Sequence, residues 1–404
     1  MTTPAPLSGG STLWAQVWSR VNRPDFAYVP MLFGLALIWA VFQLVNPNFL
    51  TPLNLTNLVL QIAAVGTIAV GLVLVLLLGE IDLSVGVVSG LAAAVMAVLN
   101  VKSGVPGPIA VLAGVGAGLA IGWVHGTWIT KLRIPSFIVT LAGQLAWQGA
   151  LLSVLGNTGT VNLRDPFILS LAGTFFKRDV PGGEMLSWVI GGLFVSLYAV
   201  GLAWERRQRL QAGLAARSLR SLVAQVGIIG VGGLGAIAIL NADRGLPSAL
   251  VLFIGIVVFF DYITRRTVFG RSIAVVGGSP EAARQANLDV DLIRISVFGL
   301  ASMLAACGGI LAASRLLAVH QSSGSGDVLL NAIAAAVIGG VSVFGGRGGV
   351  WSAVLGALVV GSISNGMDLL VVAPPVKFMV TGAVLLGAVT LDAVARRRRE
   401  AAGL

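Results

Sequence analysis

Apolar runs of about 20 residues, enough to cross a hydrocarbon core of about 30 Å, recur from end to end of this 404-residue chain, separated by short polar or glycine-bearing joints. They predict about twelve spans, near 28–46, 56–78, 83–100, 107–130, 134–155, 186–204, 221–240, 247–263, 293–313, 329–344, 350–371 and 373–393. A backbone in lipid must satisfy its own hydrogen bonds, so these spans are expected to be helices. The chain reads as an all-α polytopic membrane protein: a segment 1–27 at the cytoplasmic face or interface, one transmembrane domain over 28–395, and a basic tail 396–404. The stretch 163–176 is too short to cross and reads as interfacial or re-entrant.

Composition agrees with this pattern: 56% of residues are hydrophobic and 10% charged, where soluble proteins carry about 25% charged residues. The net charge of +10 is spread over several joints. With the N-terminus inside, 19 Lys and Arg residues fall on the cytoplasmic side against 7 outside, which predicts an even number of spans with both termini cytoplasmic. Charge dispersed along one membrane face does not fit a nucleic-acid partner. Arg396 to Arg399 instead read as a topology anchor that meets anionic lipid. The N-terminus lacks the pattern of a cleaved signal peptide, leaving targeting to the first span.

The chemical signals are few. Cys307, His125 and His320 stand without companions at metal-ligand spacing, so no metal site is expected. The run GVGGLG at Gly230 to Gly235 has the letters of a dinucleotide loop but lies inside a span with no strand before it, and reads as glycines at a helix contact. Gly114, Gly118 and Gly122 form a clearer small-residue face. FGGRGG at Phe344 to Gly349 lacks the Lys-Ser or Lys-Thr of a phosphate loop, so any ATP used is bound by a partner and no cofactor by this chain. No nucleophile, base and orienting group occur together, which argues against an enzyme.

Two acids, Glu80 and Asp82, break the run VGLVLVLLLGEIDLSVGVVSG. Asp82 is predicted as N-cap of a helix starting at Leu83, with Ser84 in its first turn. Glu80, at a span end, needs a charged partner or water and marks a pathway or gate; Arg347 is a candidate partner. A similar plan of apolar run, glycine, polar residue, glycine and new apolar run returns around Ser342, consistent with two related halves. Between Thr264 and Asp291, Ser279 is placed to cap a helix, Pro280 suits its first position, Glu281 complements its positive end, and Asn287 with Asp289 marks its stop. A short cytoplasmic helix of about two turns is expected there, within a loop of 264–292.

In order along the chain, GEIDLSVG, IPSFIVTLAG, FGRSIAVVGGSPEAARQANLDVD, AAAVIGG and SNGM resemble the membrane permeases of bacterial pentose importers of the ATP-binding-cassette type, the ribose, arabinose and xylose group, over residues 28–395. A segment of about 163–250 would lengthen a ribose-type permease by two spans, and WERRQRLQAGL, NADRGLPS and RRTVFGR resemble the xylose type. The resemblance implies a ten-helix core plus an added pair, in a permease of two copies served by a cytoplasmic ATPase and a periplasmic sugar-binding protein in the inner membrane. It implies that Ser279, Pro280, Glu281, Arg284, Gln285 and Asn287 form the element that couples to the ATPase. Family members commonly carry acids before the second junction, where this chain has Leu329 and Asn331, and a threonine where it has Val341.

Polar groups within apolar spans are the candidates for a sugar path: Gln61, Thr140, Gln144, Trp147, Gln148, Ser302, Asn331, Ser364, Asn365 and Asp368. Each could instead join helices through hydrogen bonds worth about 0.6–2 kcal/mol. The competing functional class is an ion-coupled secondary transporter of a small polar solute, with Glu80, Asp82 or Asp368 cycling protons.

Overall fold

The computed structural model describes residues 29–156, 159–216 and 218–401, so the expected N-terminal segment 1–27 lies outside the described residues. Among these the chain forms α1 (Val29–Val45), α2 (Pro52–Leu77), α3 (Val85–Val101), α4 (Gly107–Lys131), α5 (Ser136–Leu155), β1 (Thr160–Asn162), α6 (Pro166–Gly173), α7 (Phe176–Asp179), α8 (Gly183–Gln211), α9 (Leu219–Asn241), α10 (Ser248–Arg266), α11 (Val268–Gly278), α12 (Pro280–Gln285), α13 (Val290–Leu316), β2 (Ala318–His320), α14 (Asp327–Ile338), α15 (Trp351–Leu369) and α16 (Pro374–Ala401). A helix stands at each of the twelve predicted spans. Eight of the described helices are long and apolar enough to cross a membrane: α2, α4, α5, α8, α9, α10, α13 and α15.

Local chemistry sets the helix starts. Thr51 Oγ1 accepts from Asn54 N ahead of Pro52 at the head of α2, and Asp165 takes the amides of Phe167 and Ile168 ahead of Pro166 in α6. Asp289 does the same for Leu292 N at the head of α13. Each cap satisfies amides that the helix itself leaves open.

The centre of the protein is α2 and α13, with 83% and 67% of their most apolar windows buried against 6% in α8 and 11% in α9. Lipid tails are as apolar as leucine, so close contact decides which helices pair in a bilayer. The small-residue face of α4 makes such contact with α13 and α3. A methyl group at Gly118 would lie 2.7 Å from the Ser302 carbonyl oxygen, one at Gly114 2.7 Å from that of Ala92, and one at Gly122 would overlap that of Phe298. The GVGGLG run does lie in a helix, but Gly232, Gly233 and Gly235 have nothing within 4 Å. Only Gly230 of that run approaches a neighbour, Val195 of α8, so the expected helix contact there is mostly missing.

A two-stranded sheet joins distant parts of the chain. The strands β1 and β2 are antiparallel, with Thr160 opposite His320 and Asn162 opposite Ala318. No strand was expected from the apolar runs, since three-residue strands leave no periodicity to read. The short segment after β1 becomes α6, packed on α10 and α13 through Ser248 Oγ to Ser170 O (2.8 Å) and Ala172 N to Ser314 Oγ (3.0 Å).

Joints assigned to one side by charge meet one another. On the basic side Lys131 pairs with Asp291 and Gly346 N donates to Leu77 O. On the opposite side Asn54 meets Asn365, Arg244 meets Asn57 and β1 pairs with β2.

Candidate translocation and coupling site

The joint between α2 and α3 is non-helical, a turn at Leu78 and Gly79 followed by irregular chain to Ser84. Helix α3 starts at Val85 with Ser84 at its cap position, so Asp82 is not the N-cap that the sequence led us to expect. Asp82 Oδ1 instead accepts from both Ser84 N (2.8 Å) and Ser84 Oγ (2.6 Å), folding the joint back on itself two residues before the helix. Thr140 on α5 braces the same joint, its hydroxyl accepting from Leu83 N at 3.2 Å and donating to Ser136 O at 2.9 Å.

Behind this joint runs a buried polar chain. Trp147 Nε1 donates to His125 Nε2 at 2.9 Å, which leaves Nδ1 of a neutral His125 as the protonated nitrogen facing Ser84 Oγ at 3.4 Å. Ser84 in turn donates to Asp82, which is wholly buried and whose Oδ2 has no partner among the described residues. Trp147 therefore ties α5 to α4 through a part-buried hydrogen bond. His125 was passed over because a lone histidine carries no spacing signal.

Glu80 finds its counter-charge in Arg294, at 3.0 Å, with both side chains largely covered. Arg347, the expected partner, is exposed in the joint after α14, where its carbonyl accepts from Ser342 N. Spacing along the chain favoured the second junction; the fold instead brings α13, whose first residue is Val290, so that Arg294 in its first turns lies at the depth of Glu80. The signal for Arg294 was present: an arginine just inside an apolar helix requires a carboxylate or water.

Three basic-side joints converge beside this ion pair. Gly346 N donates to Leu77 O at 2.9 Å, and a methyl group at Gly277 would collide with that same carbonyl oxygen. Gly345 packs against Gly79 and Gly277 at the φ of +87° that a glycine supplies without strain. Thus the ends of α2, α11 and the joint after α14 touch backbone to backbone.

Directly after Gly278 comes α12. Ser279 accepts from Ala282 N at 3.2 Å, Pro280 takes the first position, Glu281 lies in the first turn, and Asn287 stops the helix at φ +58°. Only Ala283 of α12 is buried; Glu281, Arg284, Gln285 and Asn287 are exposed. The expected short helix is present, six residues long. Its approach differs from a plain loop: α10 runs on to Arg266, and α11 is an 11-residue helix capped by Thr267.

The remaining path candidates separate. Asn365 Oδ1 accepts from Asn54 Nδ2 (2.7 Å) and Asp368 pairs with Lys377, so both tie helix ends together. Ser302 is buried against α4 with its hydroxyl unpartnered among the described residues. Asn331 Nδ2 donates to Asp327 at 3.3 Å while its buried Oδ1 has no partner there. Gln61, Gln144 and Ser364 are half-buried. Gln148 Nε2 donates to Gln321 O at 3.1 Å, at the edge of a cleft of about 440 Å³ beside the sheet.

Residues 54–389 match the family described as "Branched-chain amino acid transport system / permease component". The chain belongs to this permease family. It is a multi-pass membrane permease, and its curated relatives divide by sugar. The permease is 36% identical to the xylose transport system permease protein XylH of Escherichia coli K12, over 97% of this chain and 96% of that protein. It is 33% identical to XylH of Haemophilus influenzae (90% and 95% covered) and 30% identical to the L-arabinose ABC transporter permease protein AraH of Azospirillum brasilense (98% and 94%). No solved structure matches the chain. These findings bear out the resemblance to the ABC-type pentose permeases.

Proposed function

We propose that this permease forms the translocation path of an ATP-binding-cassette importer for a pentose such as xylose, in the bacterial inner membrane. It works as two copies with twelve spans each, ten in an importer-type core of two related halves plus the added pair, and both termini in the cytoplasm. A cytoplasmic ATPase binds and hydrolyses ATP, and a periplasmic binding protein delivers the sugar. The permease itself binds no cofactor and catalyses no reaction.

The observation that carries this reading is the position of α12, an exposed capped helix that begins three residues beyond the backbone contact of Gly277 with Leu77. A push on Arg284, Gln285 or Asn287 from an ATPase reaches the end of α2 and the Glu80–Arg294 pair through contacts that leave no room for slack. Packed backbones pass on displacement as rigid bodies.

Proteoliposomes holding the permease with its ATPase and sugar-binding protein test the proposal. ATP-dependent uptake of xylose is expected, and truncation of Arg284, Gln285 and Asn287 to alanine abolishes it while leaving the protein folded. Uptake by the permease alone, driven by a proton or sodium gradient, would refute the importer in favour of a secondary transporter.

A further inference from the structure

The run Val319–Asp327, VHQSSGSGD, links two apolar helices and is used by neither the ion pair nor α12. It turns inward along α3: a methyl group at Gly90 would overlap the Ser323 carbonyl oxygen, and one at Gly86 would lie 2.6 Å from that of Gly324. The loop thus has a firm floor. Its backbone is tied further by Gln321 N to Gly159 O (3.1 Å), His320 N to Ser323 Oγ (2.9 Å) and Ser325 Oγ to Ser322 O (2.7 Å).

Above this floor lies the cleft of about 440 Å³, lined by Gln148, Gly159, Thr160, His320, Gln321, Ser322 and Ser325. Its lining carries amide and hydroxyl groups and one imidazole, with no carboxylate, ammonium or guanidinium group. Several of these groups are still free to bond: the Gln321 amide, the Thr160 hydroxyl and Gln148 Oε1 have no partner among the described residues. Thr160 and His320 face each other across the sheet, so β1 and β2 hold the two walls in register. A rigid cleft offering donors and acceptors without net charge suits a neutral polyhydroxylated molecule, whose hydroxyls each donate and accept. Carboxylates and amines would find no counter-charge there.

We propose that this cleft is a transit site for the pentose, with the Thr160 hydroxyl and the Gln148 and Gln321 amides exchanging hydrogen bonds with sugar hydroxyls as the ligand passes. The assignment rests on the importer reading above and adds where on the permease the sugar is met.

The test uses the full assembly in proteoliposomes with radiolabelled D-xylose. Thr160→Val keeps shape and strand pairing and removes only the hydroxyl; Gln321→Ala removes an amide that holds nothing else in place. Each should lower the uptake rate roughly two- to tenfold, the worth of one hydrogen bond, while ATP hydrolysis stimulated by loaded binding protein stays at the wild-type rate. In a Cys307→Ala background, a membrane-impermeant cationic thiol reagent should stop uptake through Thr160→Cys and leave Asn48→Cys, on an exposed joint away from the cleft, active. Wild-type uptake rates in Thr160→Val, Gln321→Ala and the modified Thr160→Cys protein would overturn the cleft assignment alone. A wild-type assembly that accumulates no pentose with ATP would overturn the importer reading and the cleft with it.

Discussion

Arg294 donates to Glu80 across 3.0 Å, joining the start of α13 to the break between α2 and α3 with side chains only 21% and 16% exposed. Coverage of this degree keeps salt from screening the pair and leaves either charge badly solvated alone. Glu80→Gln or Arg294→Met should therefore lower stability by about 1–3 kcal/mol, read as thermal unfolding of the purified protein in detergent. Exchanging the two charges together should recover part of the loss; equal losses in single and exchanged variants would show that the pair does not matter.

Gly277 sets a sharper test of the inner joints. Its Cβ position is occupied by the Leu77 carbonyl oxygen, so Gly277→Ala must push α11 away from α2. Overpacking of this kind costs about 1–3 kcal/mol. The expected result is a folded protein in which ATP hydrolysis continues and uptake fails, whereas Gly278→Ala, with nothing within 4 Å, transports normally.

The connection between α4 and α5 can be probed with one atom. Trp147→Phe keeps the aromatic ring beside His125 and removes the indole donor, leaving His125 Nε2 unpaired inside the protein. A stability loss of about 1–2 kcal/mol is expected. Gln144→Leu, one turn earlier and without a polar partner among the described residues, should change stability by less than about 0.5 kcal/mol.

A pH dependence is expected at the C-terminal end of α7. Hydrogen bonds from the Arg178 guanidinium, and one from Phe175 N at 2.8 Å, hold the Asp179 carboxyl below the ordinary aspartate range. A depressed carboxylate contributes stability that is fully present above its unfolded value, about 3.9, and lost as pH falls through the lower folded value. Amide exchange at Phe175 should stay slow from neutral pH down to about 4 and quicken below it. In Asp179→Asn that acid step should vanish.

The reach of the sequence differs between the backbone and the contacts. Hydropathy located a helix for every predicted span, because lipid demands long apolar runs whatever packs on them. The cap of α12 was equally legible, since Ser279, Pro280 and Asn287 act on their own immediate backbone. Long-range partners were not. Arg347 was expected for Glu80 from a likeness of two junctions, but which of several arginines arrives is decided by how α13 crosses α2, and no local spacing encodes that. Asp82 was expected to cap a helix; a serine two residues on captured its carboxylate first. The cleft escaped notice because its walls come from three separate stretches, and VHQSSGSGD alone reads as a loop.

The hairpin of α8 and α9 is attached chiefly at its open end, where the Arg178 and Arg244 guanidiniums each lie over the Phe175 ring and Lys177 reaches the Asn241 carbonyl. Only 6% and 11% of the apolar windows of its two helices are buried. Apolar substitutions along its exposed flank should go unnoticed by the rest of the molecule, making it the natural place for a spectroscopic label or an affinity handle that leaves the conduit undisturbed.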